Sequence, residues 1–282
     1  MSKKIDRIQS SDKKQFEKQV NEYHKGDYKF TEEGNLKDSK KEGLWKTYIH
    51  FEIKTHIIGV DYDPENPKII NSGKYGKSLF KEETFLNGEL HGLYKTYQWN
   101  VKGNWVIDEG FYENGRKTGE WISHGKLGGR FVCNYKNGKQ NGPCEGYDFS
   151  GERLIYKGTM KDDKRHGKWI EYRSDDRQRY HKGKYEKELI YKNGLLHGHC
   201  KFYDFMFGYL LREGKYKDDK PDGLWKYYHY SGRLTKEINY KDGEFHGRMI
   251  HYFSDGKRYR EEFYKDGTLI ESKPPKLLST QP

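Results

Sequence analysis

Four histidines, His91, His166, His197 and His246, each stand immediately before a glycine. Imidazole is the commonest metal ligand, so a recurring histidine invites a metal-site reading. The spacing argues against it. The four fall in separate copies of a repeat, and two strands per copy put equivalent side chains about 10 Å apart. Zinc gathers its ligands within about 2.1 Å of one point. A turn-structuring role is expected, with no metal and no other cofactor. The cysteines, Cys133, Cys144 and Cys200, are odd in number and lack Cys-x-x-Cys spacing. They read as reduced, with Cys144 and Cys200 buried as small hydrophobes and Cys133 without a histidine at catalytic spacing. Asp162, Asp163, Asp218, Asp219 and Asp242 supply carboxylates, but in turns open to water, where nothing raises a pKa for acid–base work. There is no P-loop, Gly-x-Ser-x-Gly or His-Glu-x-x-His. An enzyme is not expected.

All these residues sit on one periodic frame. Glycines 43, 92, 119, 142, 167, 198, 223 and 247 recur at 23 to 31 residues after a first interval of 49. Two positions after each come Trp45, Tyr94, Trp121, Cys144, Trp169, Cys200, Trp225 and Met249. Five after come Tyr48, Tyr97, His124, Tyr147, Tyr172, Tyr203, Tyr228 and Tyr252. Five before, and once more at 266, every residue is Asn or Asp: Asp38, Asn87, Asn114, Asn137, Asp162, Asn193, Asp218, Asp242 and Asp266. Asn or Asp followed by Gly supplies the positive φ that tight hairpin turns require. A short aromatic and β-branched strand follows, as in Gly-Leu-Trp-Lys-Tyr-Tyr at 223–228, and then a second turn such as Ser231-Gly232. The expectation is an all-β, elongated repeat meander of about eight stacked antiparallel β-hairpins, a β-solenoid or rod roughly 80 Å long at ~10 Å per repeat. The long first interval reads as a lengthened hairpin or a decayed unit over 51–67, and 174–181 as a polar loop insertion.

Gly-x-Trp-x-x-Tyr, a turn, then Tyr-Lys-Asn/Asp-Gly resembles the MORN-type repeat, in the variant of YwqK-like antitoxin-family proteins. The clearest copies are 167–172, 191–203 and 216–252. The resemblance spans roughly residues 28 to 270. It implies a twisted β-sheet rod acting as a scaffold, docking surface or membrane-junction part, and it carries over no catalytic residues. Cys144, Cys200 and Met160 depart from the pattern as apolar for aromatic, which reads as packing.

Three domain segments follow: a basic N-terminal arm or short capping helix over 1–27, the repeat domain over 28–270, and a C-terminal tail over 271–282. Composition agrees with a repeat of strands. Leu, Ile, Val and Phe make up under a fifth of the chain and the formal net charge is +11, yet aromatics reach 16% and alanine is absent. No run approaches the ~20 apolar residues of a membrane span, no signal peptide is recognisable, and no Asn-x-Ser/Thr sequon occurs. The localisation expected is intracellular, within a large particle or assembly.

Two surfaces are candidates for partners. Lys37, Lys136, Lys161, Lys192, Lys217, Lys241 and Lys265 precede the Asn/Asp turn position and give one edge a lysine column. It reads either as solvation that discourages edge aggregation or as a site for an anionic partner, an acidic protein or an anionic lipid surface. Nucleic acid is disfavoured, because a ~10 Å repeat misses the phosphate spacing and arginine is not concentrated there. The tyrosine column, Tyr48, Tyr97, Tyr147, Tyr172, Tyr203, Tyr228 and Tyr252, is the protein-binding candidate. Its offset from the Trp column is odd, so either a bulge unites the two or both faces carry rings. A second aromatic face is then a docking surface, or long Lys and Arg stems cover it. The function expected is a non-enzymatic scaffold or structural docking component. The alternatives are an antitoxin or immunity protein that binds a toxin, and a peripheral tether to anionic membranes.

Overall fold

A computed structural model describes residues 16–25, 28–52, 75–100, 103–125, 128–172 and 185–273. The readings placed on 53–67 and on 174–181 lie outside these residues. The described chain is all-β, with twenty strands and no helix; none is therefore long and apolar enough to cross a membrane. It divides into two compact units, residues 1–121 and 122–282. The first holds β1 (Glu17–Lys25), β2 (Tyr28–Lys37), β3 (Lys40–Glu52), β4 (Tyr75–Leu86), β5 (Glu89–Asn100), β6 (Gly103–Glu113) and most of β7 (Arg116–His124). The second holds β8 (Arg130–Lys136), β9 (Lys139–Tyr147), β10 (Leu154–Lys161), β11 (Lys164–Tyr172), β12 (Tyr185–Lys192), β13 (Leu195–Leu196), β14 (Gly198–Tyr203), β15 (Leu210–Lys217), β16 (Lys220–Tyr228), β17 (Leu234–Lys241), β18 (Glu244–Tyr252), β19 (Arg258–Lys265) and β20 (Thr268–Lys273). Within each unit, strands pair antiparallel with their neighbours in sequence, which is a meander of hairpins. Residues 17–25, inside the segment read as an arm or capping helix, form strand β1 against β2.

The hairpin turns follow from the Asn/Asp column. All nine of its members have φ between 48° and 53°. Each is followed by a second residue at positive φ, Gly in six turns and Ser39, Asp163 or Asp219 in the other three. Two successive left-handed residues define the turn that matches the strand twist, and Asn and Asp reach that region at low cost. Among the described residues, seven of the nine turns also lean on the preceding repeat. The backbone N–H of Gly194 donates to the Arg165 carbonyl at 2.8 Å, and Gly243 does the same to Pro221 at 3.0 Å. The histidines join this stitching. The N–H groups of Asn114, Asn193 and Asp266 point at Nδ1 of His91, His166 and His246 at 3.5 Å, and His197 Nδ1 lies 3.2 Å from Asp218. Their role is the turn-structuring one.

The recurring anchor glycines have a different origin. All eight have positive φ, from 65° to 121°. They sit in bulges: Lys157 pairs with Ile170 but Thr159 pairs with His166, so Gly167, Lys168 and Trp169 face Gly158 alone. The extra residues re-aim the tryptophan. Gly223, at φ +75°, has nothing within 4 Å of a built Cβ. Gly223→Ala is therefore expected to cost only the backbone strain, about 1 kcal/mol, read as a small shift in a denaturant midpoint.

The tryptophans that these bulges aim make the core. Trp45, Trp121, Trp169 and Trp225 are at most 2% exposed. Each lies flat on a glycine eleven residues earlier: a Cβ on Gly34, Gly110, Gly158 or Gly214 would come within 2.2 to 2.3 Å of the ring. Each indole N–H then donates to the carbonyl of the next residue, Asn35, Phe111, Thr159 or Lys215, at 3.0 to 3.1 Å. A buried indole needs such a partner. The other repeats fill the slot from both sides. Glu83 faces Tyr94, Cys133 faces Cys144, Leu189 lies opposite Cys200, and Ile238 faces Met249. The packing reading of Cys144 and Cys200 fits their burial. The reading of three reduced cysteines does not stand: Cys133 and Cys144 are joined as a disulfide, their Cα atoms 4.2 Å apart, and Cys200 is the free thiol. The β8–β9 register puts the two directly opposite, a relation that counting cysteines could not reveal.

Candidate functional site

The bulge does not merge the Trp and Tyr columns. Glu213 pairs directly with Lys226, so Tyr228, two residues further, shares their face, and Trp225 stands on the other. Rings occupy both faces, and each column is consumed internally. Cations lie over the tryptophans: Lys41 Nζ is 4.3 Å from the Trp45 ring, Lys117 Nζ 3.8 Å from Trp121, and the Arg165 guanidinium 4.3 Å from Trp169. Burial pushes the Lys117 ammonium below its usual pKa.

The half-buried tyrosine column spends its hydroxyls on glutamates fifteen residues earlier. Tyr97 donates to Glu82 at 2.6 Å, Tyr203 to Glu188 at 2.9 Å, Tyr228 to Glu213 at 2.6 Å and Tyr252 to Glu237 at 2.6 Å. Tyr48 does the same with Glu33, while Lys77 caps its ring at 3.7 Å. Tyr147 departs from the register, bonding Glu145 under the Arg130 guanidinium. Tyr172 has Lys157 at the equivalent position, 6.0 Å from the ring centroid. Lysines alternate with the glutamates on this face, as in Lys46–Glu82 at 3.3 Å and Lys168–Glu188 at 2.6 Å.

These phenols carry a pH dependence. Desolvation, with hydrogen bonds to carboxylates, holds Tyr97 and Tyr228 well above the ordinary tyrosine value, and desolvation pushes Tyr94 up to about 12. A phenol whose folded pKa exceeds its unfolded value of about 10 stabilises the fold fully below pH 10. That stabilisation is lost as pH rises toward the folded pKa. Thermal melts at stepped pH are expected to hold level to about pH 9.5 and to fall steeply above 10, with a shallower fall in Tyr228→Phe. Tyrosinate absorbance developing fully at pH 10 with melting unchanged would contradict this.

The lysine column is a true edge. Lys136, Lys161, Lys192, Lys217, Lys241 and Lys265 are exposed, Lys37 is half-buried, and among the described residues none makes an ion pair. Lys136 faces Lys139, Lys161 faces Lys164 and Lys217 faces Lys220 across the turns. Asp162, Asp163, Asp218 and Asp219 stand between them, which cancels much of the local charge. The stems of Lys164 and Lys220 also lie 3.5 to 3.7 Å from the Cβ positions of Gly194 and Gly243, covering the next turn.

The opposite edge of the second unit holds what the repeat columns did not reveal. Phe149, Phe205, Phe207, Tyr230 and Phe253 sit in the second turns of their hairpins and are 67%, 53%, 50%, 66% and 50% exposed. The turns themselves are fixed. Asp204 Oδ1 accepts the N–H groups of Met206 and Phe207, and Asp255 Oδ1 that of Lys257. Hydrogen bonds to the backbone and side chain of Lys257 hold the Asp255 carboxyl below its usual pKa. The signal was present in the sequence as aromatic residues beside Ser-Gly and Asp-Gly turn pairs, where no core position exists. Compared with known proteins, the chain matches no family model and no curated protein.

Proposed function

We propose that this chain is a non-enzymatic repeat scaffold that docks a protein partner through the aromatic hairpin tips of its second unit. The carrying observation is the contrast in how its rings are used: Trp45, Trp121, Trp169 and Trp225 are buried and the tyrosines of the Tyr column other than Tyr172 are bonded to glutamates, whereas Phe149, Tyr230 and Phe253 are presented to solvent. Large exposed aromatics on turns of fixed geometry are typical interface anchors, since little ordering is needed on binding. The MORN-type resemblance of the repeat, with its scaffold and docking roles, supports the same reading. A photo-crosslinking residue placed at Tyr230 or Phe253 of the full chain, irradiated in the native cell, is expected to give a discrete protein adduct. The same residue at Lys241 or Lys265, on the opposite edge, is expected to give none. Adducts from the lysine edge alone would reverse the assignment.

A further inference from the structure

The docking edge has a composition that selects among protein partners. The turns at 204–209, 229–233 and 253–257 belong to consecutive hairpins, and Phe205, Met206, Phe207, Tyr209, Tyr230 and Phe253 on them are 43% to 66% exposed. At 150–250 Å² for an aromatic side chain, half exposed, the five rings with Met206 present on the order of 600 Å² of mostly apolar surface. That is at the upper limit for the largest patch of an ordinary monomer and approaches the ~800 Å² per side of a stable complex.

The polar groups among these rings are unequal in sign. Both carboxylates are committed to their own turns: Asp204 accepts two backbone N–H groups, and Asp255 accepts one and pairs with Lys257 at 3.3 Å. The arginines are not so committed. Arg233 donates to the Ser254 carbonyl at 3.0 Å and Arg258 lies against the Tyr252 hydroxyl. Neither has a carboxylate within 4 Å among the described residues. His229, whose Nδ1 is 2.9 Å from Ser231, adds no negative charge. Arg233, Lys257 and Arg258 outnumber Asp204 and Asp255, so the rim is net cationic around an apolar centre.

Resting on the docking reading above, we propose that the occupant of this edge is an acidic peptide segment with bulky apolar side chains on one face, at the interval of the hairpins. Two strands per repeat space the tips by about 10 Å or somewhat more. A helix advances about 10.5 Å in seven residues, so apolar residues at seven-residue spacing meet successive tips while glutamates or aspartates between them reach Arg233 and Arg258. Apolar anchors supply affinity, and the charge rim supplies selection by sign.

The test uses the full chain and a fluorescein-labelled, helix-forming peptide of glutamates with leucine at seven-residue spacing, beside a twin with every glutamate replaced by lysine. Fluorescence anisotropy is expected to show saturable one-to-one binding of the acidic peptide and at least tenfold weaker binding of the twin. Tyr230→Ser with Phe253→Ser, both at exposed tips, is expected to weaken the acidic peptide at least tenfold with an unchanged circular dichroism spectrum. Arg233→Glu with Arg258→Glu is expected to erase the preference between the peptides. Equal binding of the twins, or indifference to the tip substitutions, overturns the proposal. So does absence of peptide binding alongside uptake by vesicles of anionic lipid. If the peptide fails while crosslinks at Tyr230 still form, the acidic-segment proposal falls and docking stands; if the crosslinks fail as well, both fall.

Discussion

Gly214→Leu is expected to destabilise the second unit by about 3–5 kcal/mol, and adding Trp225→Cys is expected to restore most of the loss. Gly214 does not have positive φ, so backbone strain does not explain its glycine. The ring does: a Cβ there would stand 2.3 Å from Trp225, which is 1% exposed. A leucine must expel the indole, forfeiting the transfer and packing terms of a buried Trp, about 3–5 kcal/mol, and the 3.0 Å bond to the Lys215 carbonyl. Trp225→Cys alone leaves a void and costs a similar amount. Together they recreate the arrangement of Leu189 and Cys200, which are 4% and 0% exposed in the same fold. The two substitutions touch the same space, so their effects should be strongly non-additive. Guanidinium denaturation of the four chains in the cycle measures the coupling. A double variant no more stable than either single one would mean that the slot is not conserved in volume, and the account of the core given above would fail.

The same slot shows where sequence reading stops. The Asn/Asp column was legible because a positive φ restricts residue type at one position, and all nine members adopt it. The antiparallel hairpins followed from that column and from the recurring glycines. Of the two partners of the slot only the Trp, two residues after an anchor, was in view; the glycine eleven residues before it was not singled out. Nothing local joins them, because the contact is made across a bulged pair of strands. The tyrosine column was visible for a similar reason and its task was not. Residues such as Glu213 and Tyr228 meet only once the register is known, and the phenol that reads as an interface anchor turns out to bond a carboxylate. The exposed tips were overlooked although Phe149, Phe205 and Tyr230 each stand seven residues after an anchor glycine, because other repeats place Ser174 or Ser254 there and Phe253 falls one residue earlier. β1 was misread for want of apolar alternation. Its side chains are mostly exposed, and β2 supplies the pairing that its own composition does not announce.

The disulfide gives the second large effect. Chain unfolded in guanidinium without reductant is expected to titrate one thiol, that of Cys200, and three after reduction. Reduction should lower the stability of the second unit by about 2–4 kcal/mol through the entropy returned to the unfolded chain. Three thiols without reductant would refute the bond. Its position has a reason beyond the two sulfurs. Cys133 and Cys144 are separated by 11 residues, the interval from Gly158 to Trp169 and from Gly214 to Trp225. The pair therefore fills with two medium side chains and a bond the volume that other repeats fill with one indole. Cys133→Gly with Cys144→Trp should in consequence give a folded chain whose stability is indifferent to reductant, with a new buried indole that donates to the Asn134 carbonyl, as Trp169 does to Thr159. Cys133→Ala with Cys144→Ala removes the bond and leaves the space, and should be less stable than that exchange. If the alanine pair were as stable as the glycine–tryptophan pair, the slot would contribute nothing by being filled. The burial of Trp45, Trp169 and Trp225 would then need another cause.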